Sequence, residues 1–301
     1  MDAVTLRGVT KQFDGLTAVS GLSLSIRENA FFGLLGPNGA GKTTTLRMLL
    51  RMIIPDSGDI EILGQPLSHA TQDRIGYLPE ERGLYPRMRV RQVLMFLSEL
   101  KGLREAEADR RTRQWLERLE MSDWMERRID ELSKGMQQKV QFIAAVLHEP
   151  PLLILDEPFS GFDPVNVALV KNIMLDLRKR GTTIILSTHR MEQVEMMCDS
   201  ICLINHGRKV LAGELREIKK AFGRNMVRIE YIGNVDGLGL ERFATDINRF
   251  GSVVEAKLRP EIDPQEILKA AVERGVALAR FELMEPPLAD IFVESVTKAR
   301  A

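Results

Sequence analysis

The sequence predicts an α/β fold with a mixed, mainly parallel sheet, an antiparallel β subdomain, a helical insertion and a small C-terminal α+β domain. Residues 30–35 form a continuous apolar run, typical of a strand buried on both faces, and lead into a glycine-rich turn and a helix. Strand, helix and strand patterns follow one another over residues 152–187, the order of a parallel sheet with right-handed crossovers. Beyond residue 222 a new strand and helix pattern begins, so we expect domains at residues 1–222 and 223–301.

The first part of the chain supplies the antiparallel subdomain. From residue 4 to about 26, apolar and polar residues alternate around two turn-like pairs, Asp14-Gly15 and Ser20-Gly21. This alternation predicts antiparallel strands near a sheet edge. A Leu- and Met-rich helix is expected at about 43–52, and a short strand at 58–64.

The stretch from about residue 87 to 149 changes to helical periodicity and predicts a helical subdomain. Its two apolar faces consist of Val90, Val93, Leu94 and Leu97, and of Met136, Val140, Ile143, Ala144 and Leu147. Pro150-Pro151 ends the second helix. Because β-type segments lie on both sides, these helices form an insertion into the α/β core. The helix after it is expected at about 164–180.

The C-terminal domain has its own order of elements. Strands are expected at 226–231, 252–258 and 277–283, and helices at 264–274 and 288–297. It contains no metal or nucleophile constellation that we recognise in the sequence. We therefore expect a structural or dimerising appendage.

Composition excludes some partners. Lys+Arg and Asp+Glu are both 42, so the formal net charge is zero, no global field attracts nucleic acid, and no nucleic-acid partner is expected. No secretory leader is visible, and no apolar run approaches the roughly 20 residues that span a bilayer. Cys198 and Cys202 are expected to be buried thiols in a reducing cytoplasm rather than a metal or redox pair.

A phosphate-binding loop is the most specific motif. The run Gly36-Pro37-Asn38-Gly39-Ala40-Gly41-Lys42-Thr43 matches G-x-x-x-x-G-K-[ST] in full. Its glycines let successive N–H groups turn inward at the positive end of the next helix, where they form a nest for phosphates. Lying between a buried strand and a helix, the motif predicts a P-loop NTPase core. The candidate nucleotide-binding residues are Gly36, Pro37, Asn38, Gly39, Ala40, Gly41, Lys42, Thr43 and Thr44.

Two carboxylates follow the apolar strand at residues 152–155. Ligand sites of open α/β sheets lie at the carboxyl ends of the strands. Asp156 is expected to hold Mg²⁺ together with the Thr43 hydroxyl, and Glu157 to accept a proton from the attacking water. The alternative is an acidic first turn of the next helix, which the four preceding apolar residues disfavour.

The run Ser133-Lys134-Gly135-Met136-Gln137-Gln138 resembles the signature sequence of the ATP-binding cassette (ABC) family. The resemblance covers residues from about 4 to 220, with the motifs in the family's order. It implies that Ser133, Lys134, Gly135, Met136 and Gln137 face ATP held by another subunit, in a head-to-tail dimer. Ser133 taken alone would be a simple N-cap. Lys134 stands where many members carry a second glycine.

The resemblance implies roles for three more residues. His189 matches the switch histidine, which contacts the γ-phosphate and helps to hold Glu157 and water. Asp163 matches the loop that couples the two sites, although Asp-Pro is also a common helix start. Phe13 lies where the family places an aromatic ring under adenine; ordinary packing of an edge strand is the competing interpretation.

Glu80 stands where the family has a glutamine that touches Mg²⁺ and links the site to the membrane partner. A carboxylate suits a hard cation, but it cannot donate a hydrogen bond when ionised. The following Glu81-Arg82-Gly83-Leu84-Tyr85-Pro86 resembles a branch of bacterial and archaeal exporters of sodium, drugs and related compounds. The extra C-terminal domain resembles the one that this branch carries.

Together these resemblances imply an ATPase that powers export through a separate membrane permease, with Lys42, Glu157 and His189 in catalysis. They imply ATP and Mg²⁺, the metal being held by Thr43, Glu80 and Asp156. They also imply a homodimer, or a pair with a related ATPase subunit, peripheral on the inner face of the cell membrane.

Two other classes of function remain as alternatives. One is a soluble mechanochemical ATPase of the same family, but the paired cassettes, long coiled coil or zinc insertions usual there are not visible in the sequence. The other is a regulatory nucleotide-binding module without turnover. The joint presence of Lys42, Asp156, Glu157 and His189 argues against it.

Overall fold

The computed structural model describes residues 1–81, 83–223 and 226–298, so Arg82, in the segment that carries the branch resemblance, lies outside the described residues. The chain divides into two compact units, Met1–Gly213 and Glu214–Ala301. This division assigns the helix Leu215–Ala221 to the second unit, whereas the predicted boundary after residue 222 assigned it to the first.

The first unit contains two sheets and a set of helices. Its strands are β1 Asp2–Phe13, β2 Leu16–Arg27, β3 Phe31–Leu35, β4 Ser57–Ile62, β5 Gln65–Pro66, β6 Ile75–Leu78, β7 Leu152–Asp156, β8 Thr183–Thr188, β9 Ser200–Asn205 and β10 Arg208–Glu214. Its helices are α1 Lys42–Leu49, α2 His69–Asp73, α3 Val90–Leu100, α4 Glu105–Arg118, α5 Lys134–Val146, α6 Pro164–Lys179 and α7 Met191–Met197. Among the described residues, no helix has the length and apolar character needed to cross a bilayer.

The larger sheet confirms the predicted α/β core. Its strand order is β10-β9-β3-β8-β7-β6, and β3, β6, β7, β8 and β9 run parallel in their pairings. Strands β3, β7 and β8 are buried along their whole length, as their continuous apolar composition requires. The register pairs Leu35 with Thr188 and Asp156 with Ser187. The carboxyl ends of these three strands therefore lie at one edge.

The smaller sheet, in the order β2-β1-β4-β5, is the predicted antiparallel subdomain. Asp14-Gly15 joins β1 to β2, and both residues have positive φ, as two-residue hairpin turns require. The turn predicted at Ser20-Gly21 is wrong, because this pair lies inside β2. Gly21 has φ 59° and its N–H donates to Thr10 Oγ1, at a point where the β1–β2 register shifts. The turn-like composition of Ser20-Gly21 therefore belongs to an irregularity in the β1–β2 ladder and not to a turn.

The helical insertion consists of α3, α4 and α5, with short 3-10 turns at Ser122–Trp124 and Ile129–Glu131. The single apolar face predicted for α5 is wrong in part. Met136 and Ala144 are only half-buried, whereas Gln138, Lys139 and Gln141 are buried. Helix α5 contacts α3, α4 and β6, so it is enclosed on more than one side. The polar residues on those sides donate to backbone carbonyls.

The two cysteines are buried free thiols. Burial raises the pKa of Cys202 to about 12, and it raises the pKa of Cys198 as well. Thiols in this state are unreactive, because the thiolate is the reactive form. The expectation of two buried thiols is confirmed.

The second unit contains α8 Leu215–Ala221, β11 Met226–Ile232, β12 Ala244–Phe250, β13 Val253–Leu258, α9 Pro264–Glu273, β14 Ala277–Met284 and α10 Leu288–Lys298. Its antiparallel sheet has the order β12-β13-β11-β14, and its core joins Val227, Ile229 and Val254 to Ile267 of α9. The predicted strands and helices of this domain are confirmed, but β12 was not predicted. This edge strand is mostly exposed, so it lacks a clear apolar alternation.

Candidate functional site

A cavity of about 540 Å³ lies at the carboxyl edge of the larger sheet. Its lining brings together the predicted residues Phe13, Asn38, Gly39, Ala40, Gly41, Lys42, Thr43, Thr44, Glu80, Asp156 and Glu157. The lining also includes Leu16, Thr17, Ala18, His206 and Gly207, which the sequence did not single out. One cavity therefore joins the glycine-rich loop to the two carboxylates that follow β7.

The glycine-rich loop needs glycine where a side chain would collide with a neighbouring backbone carbonyl group. Gly36 has φ 154°, and a Cβ there would lie 2.2 Å from the Ile204 carbonyl oxygen. Gly41 has φ 104° and begins α1, and a Cβ there would lie 2.4 Å from the Ala18 carbonyl oxygen. No side chain caps this end of α1 in the described chain. Because Lys42, Thr43 and Thr44 line the cavity, the uncapped N–H groups of this first turn form a site for anions beside it.

Lys42 is held against the loop that precedes it. The side chain is 7% exposed, and Nζ donates to the carbonyl oxygens of Gly36 at 2.7 Å and of Pro37 at 3.1 Å. Burial lowers the pKa of Lys42, and the charges of Glu157 and Asp156 act in the opposite direction. Gly36 and Pro37 hold the ammonium group and do not themselves line the cavity.

Asp156 lies at the end of β7, beside the first turn of α1. The Thr43 hydroxyl donates to its Oδ2 at 3.3 Å. Burial is the main cause that raises the pKa of Asp156, and the nearby charges of Glu80 and Glu157 raise it further. A carboxylate in this position gains from a cation, because a cation offsets both the burial and the like charges.

Glu157 has a strained backbone and a firmly held carboxylate. Its φ is 47°, its N–H donates to Ser187 O at 2.9 Å, and it is 9% exposed. Oε1 accepts the His189 N–H at 2.8 Å and lies 2.6 Å from His189 Nδ1, while Oε2 accepts the Thr188 hydroxyl at 3.0 Å. Left-handed backbone at a non-glycine residue costs about 1–3 kcal/mol and concentrates at functional sites.

Phe13 and Glu80 are both exposed side chains of the cavity lining. The Phe13 ring is 41% exposed, which argues against core packing as its role, and Lys11 Nζ lies 5.4 Å from the ring centroid. Glu80 is exposed at the cavity. The loop that carries it is tied to α5, because Gln141 Nε2 donates to the Glu81 carbonyl oxygen at 3.2 Å.

The signature residues begin α5. Ser133 is the N-cap, and its Oγ accepts the Met136 N–H at 3.3 Å. Lys134 is exposed, and Gln137 Nε2 donates to the carbonyl oxygens of Ile129 and Leu132. A Cβ added at Gly135 would lie 3.4 Å from Gly161 O. Within the described chain, none of the five predicted signature residues lines the cavity.

Asp163 also lies outside the cavity lining and is the N-cap of α6. Its side chain accepts the Asn166 N–H at 2.9 Å and the Asn166 side-chain amide at 2.6 Å. These bonds, the backbone one first, lower the pKa of Asp163. Asp163 therefore acts at least as a helix cap, with Pro164 in the first turn.

Two polar contributors to the site, His206 and Thr188, are among those that the sequence did not single out. His206 has φ 46° and lines the cavity, and the adjacent Gly207 donates its N–H to Ala40 O at 2.9 Å. Thr188 is completely buried and holds Glu157. The pair Thr188-His189 carried a signal for the second, because a hydroxyl beside a candidate histidine can reach the same partner. For His206 we find no comparable signal.

Two family models match the chain. Residues 19–160 match the ABC transporter family, and residues 213–296 match the C-terminal domain of DrrA1-3-like ATP-binding proteins.

Individual proteins are similar over nearly the whole chain. The "Uncharacterized ABC transporter ATP-binding protein YhaQ" of Bacillus subtilis (strain 168) is 45% identical, over 97% of this chain and 98% of YhaQ. The "Nod factor export ATP-binding protein I" of Rhizobium sp. (strain N33) is 34% identical, over 97% of this chain and 96% of that protein. A solved structure titled "Structure of ATP binding subunit of ABC transporter" is 30% identical, with a TM-score of 0.69. The matched region covers 73% of this chain and 93% of the chain in that structure.

Proposed function

The chain belongs to the ATP-hydrolysing subunits of ABC transporters, and from that premise we propose that it drives export through a separate membrane permease by ATP-dependent closure of a dimer. It combines an ABC-type ATP-binding domain with a DrrA-like C-terminal domain. The relative from Rhizobium is named for Nod factor export, which supports an export direction for this chain.

One observation carries the proposal. A single cavity is lined both by Lys42 and Thr43 of the glycine-rich loop and by the carboxylates of Asp156 and Glu157. A nucleotide whose phosphates bind in the glycine nest presents its γ-phosphate to Lys42 and to these carboxylates. Phe13, exposed in the same cavity, offers a ring face for the adenine base.

The reaction follows from these positions. Glu157 accepts a proton from a water molecule while the water oxygen bonds to the γ-phosphorus. The bond from that phosphorus to the β–γ bridging oxygen breaks, and the products are ADP and inorganic phosphate. Lys42 and the N–H groups at the start of α1 stabilise the negative charge on the transferring group. His189 orients Glu157 and contacts the γ-phosphate.

Mg²⁺ fits the oxygen donors of the cavity. Thr43, Glu80 and Asp156 supply the hard ligands that this ion takes, and the raised pKa of Asp156 indicates a carboxylate that gains from a cation. Within the described residues no group of three or more His, Cys, Asp or Glu side chains is arranged to hold a metal. That agrees with Mg²⁺, which commonly takes one or two protein carboxylates and completes its shell with phosphate and water. Once bound, the ion supplies positive charge against the phosphate oxygens.

The signature residues act on the partner's nucleotide in a head-to-tail dimer. Ser133, Lys134, Gly135, Met136 and Gln137 start a helix whose N-terminus is exposed and lies outside this chain's own cavity lining. A helix N-terminus attracts phosphate, so a second copy, or a related ATPase subunit, completes each site. Asp163, near Gly135 through the loop of Gly161, belongs to the connection between the two sites. Hydrolysis removes the charge that bridges the chains and lets the dimer open.

The membrane permease is the second partner. Closure moves the helical insertion and the described residues Glu80, Glu81 and 83–85, which grip a segment of the permease on the inner face of the cell membrane. Through this partner the chain is peripheral to the membrane.

Changing Glu157 to Gln tests the proposal. The variant should bind ATP with unchanged affinity, lose at least about 100-fold in turnover, and accumulate as an ATP-loaded dimer in the presence of the permease. Steady-state hydrolysis within a few-fold of wild type would refute the base assignment, and a strictly monomeric ATP-loaded form would refute dimer closure. A pull-down from solubilised membranes should recover a polytopic membrane protein. Its absence would favour a mechanochemical ATPase without a permease.

A further inference from the structure

Thr188 contacts Glu157 through its side-chain hydroxyl. It is the last residue of β8, it is completely buried, and its Oγ1 lies 3.0 Å from Glu157 Oε2. The backbone N–H of Arg190 donates to the same Oγ1 at 3.1 Å. The hydroxyl group therefore lies between a fixed donor and the carboxylate.

The direction of this hydroxyl bond follows from its donor capacity. A hydroxyl has one proton, and the Arg190 N–H already uses one of its lone pairs. The acceptors within reach are Glu157 Oε2 at 3.0 Å and Gln193 Oε1 at 3.3 Å. The carboxylate is closer and carries charge, and charge-assisted hydrogen bonds are the stronger ones. The proton consequently points to Glu157.

Glu157 needs support on both oxygens. His189 reaches only Oε1, through its N–H and Nδ1. The last torsion of a glutamate side chain is broad, so a carboxylate held at one oxygen can turn about its terminal bond. Thr188 holds the other oxygen from the carboxyl end of β8, the strand that neighbours β7. With both contacts made, the carboxylate plane is fixed where Glu157 lines the cavity.

We propose that Thr188 is a positioning residue for ATP hydrolysis, whose hydroxyl holds Oε2 of Glu157 and keeps the base aimed at the nucleotide. This inference rests on the proposed role of Glu157 as the base. Thr188 itself touches no reacting atom in this scheme. Its loss should lower the rate of the chemical step and leave nucleotide binding intact.

The test compares four variants of the full chain. Thr188→Val removes the hydroxyl at nearly constant side-chain volume, and Thr188→Ser keeps a hydroxyl at this position. Thr183→Val is the matched control, because Thr183 is a buried threonine at the other end of β8 whose hydroxyl accepts the Asn29 N–H instead. Glu157→Gln is the reference for loss of the base.

In Thr188→Val, kcat should fall at least about 10-fold with KM for ATP within about twofold, the size expected for one hydrogen bond to a charged group. Thr188→Ser should recover most of the rate, and Thr183→Val should keep it. If Thr188→Val fails to fold, as judged by thermal unfolding and ATP binding, Thr188→Ala carries the same expectation.

Three results would overturn the inference: an unchanged kcat, equal losses in kcat and ATP affinity, or a serine variant as slow as the valine variant. If Glu157→Gln retains turnover, the failure lies with the proposed base instead.

Discussion

Glu157 and His189 meet at a single oxygen: Oε1 of Glu157 accepts the His189 N–H at 2.8 Å and lies 2.6 Å from Nδ1 of the same residue. Because an ionised carboxylate only accepts hydrogen bonds, Nδ1 carries a proton in this pair. Nε2 is the ring nitrogen that Glu157 leaves uncontacted. The proposed mechanism uses this ring to connect the base with the γ-phosphate.

Changing His189 to Ala should therefore reduce ATP hydrolysis about 100-fold, as for the loss of one group that stabilises the transition state. Steady-state hydrolysis and equilibrium ATP binding measure the two effects separately, and binding should change little. His69→Ala is the control, since His69 is exposed in α2 and, unlike His189, has no hydrogen bond to Glu157 among the described residues. Hydrolysis by the His189 variant within a few-fold of wild type would contradict the assignment.

The glycines of the loop should differ in their tolerance of alanine. At Gly36 the added Cβ would lie 2.2 Å from a backbone oxygen, so Gly36→Ala must displace the loop and should abolish ATP binding. At Gly39, which has φ 77°, the Cβ meets no described atom within 4 Å, and only the backbone conformation resists it. Gly39→Ala should cost about 1–2 kcal/mol of stability. Nucleotide titration and thermal unfolding compare the two; similar effects at both positions would be evidence against this geometry.

Phe13→Ala should weaken ATP binding about 5- to 150-fold, the range expected for loss of base stacking. Phe13→Trp should preserve affinity. Because the ring is 41% exposed, its removal should change the unfolding temperature little. Tripolyphosphate, which has no base, serves as the control ligand: its affinity should be the same for wild type and Phe13→Ala. An equal loss for both ligands would show that Phe13 shapes the loop rather than stacking on adenine.

Mixing two inactive variants tests the head-to-tail arrangement. Lys42→Ala and Ser133→Ala should each be inactive alone, because both sites of either homodimer are defective. In the mixed dimer, one site lacks both Lys42 and Ser133, and the other site has both. Hydrolysis at the intact site should therefore reappear on mixing. Ser133→Ala also removes an N-cap, at a cost of about 0.5–2 kcal/mol, so its unfolding temperature must be recorded. A mixture no more active than its components would indicate that the signature does not act across a dimer.

Acid should destabilise the fold through His148. This side chain is partly buried, and burial first, then the charge of Lys101, lowers its pKa from 6.5 to about 4. Between these values the unfolded chain binds the proton and the folded chain does not. Burial of His148 therefore does not reduce the free energy of unfolding above about pH 6.5. As the pH falls from 6.5 toward 4, the free energy of unfolding decreases by on the order of 3 kcal/mol.

Denaturant unfolding at pH 7.5 and pH 5 measures this loss. In His148→Gln the difference in the free energy of unfolding between pH 7.5 and pH 5 should be smaller than in wild type. In His69→Gln, a change at an exposed position, this difference should match wild type. An unchanged difference in the His148 variant would rule out this histidine as the cause.

Much of the fold and site could be predicted because the relevant patterns are local. The run from Gly36 to Thr43 specifies its own backbone, since glycine is required where a Cβ would collide with Ile204 or Ala18. The apolar run of β7 followed by Asp156 and Glu157 identifies a buried strand and its carboxyl end without reference to the rest of the chain. Long strands and helices were predicted for the same reason. Ser20-Gly21 was misread because a ladder irregularity has the composition of a turn.

Local sequence determined which groups this protein can offer to a nucleotide: a glycine nest, a lysine, two carboxylates and a histidine. Tertiary structure decided which of them meet. Glu157 and Thr188 are 31 residues apart along the chain. They are brought together because β7 and β8 pair in parallel, with Asp156 opposite Ser187. A register between two strands depends on long-range packing, so the sequence around Thr188 could indicate a polar contact but not that its partner is Glu157. No local pattern indicated the approach of His206 to the cavity.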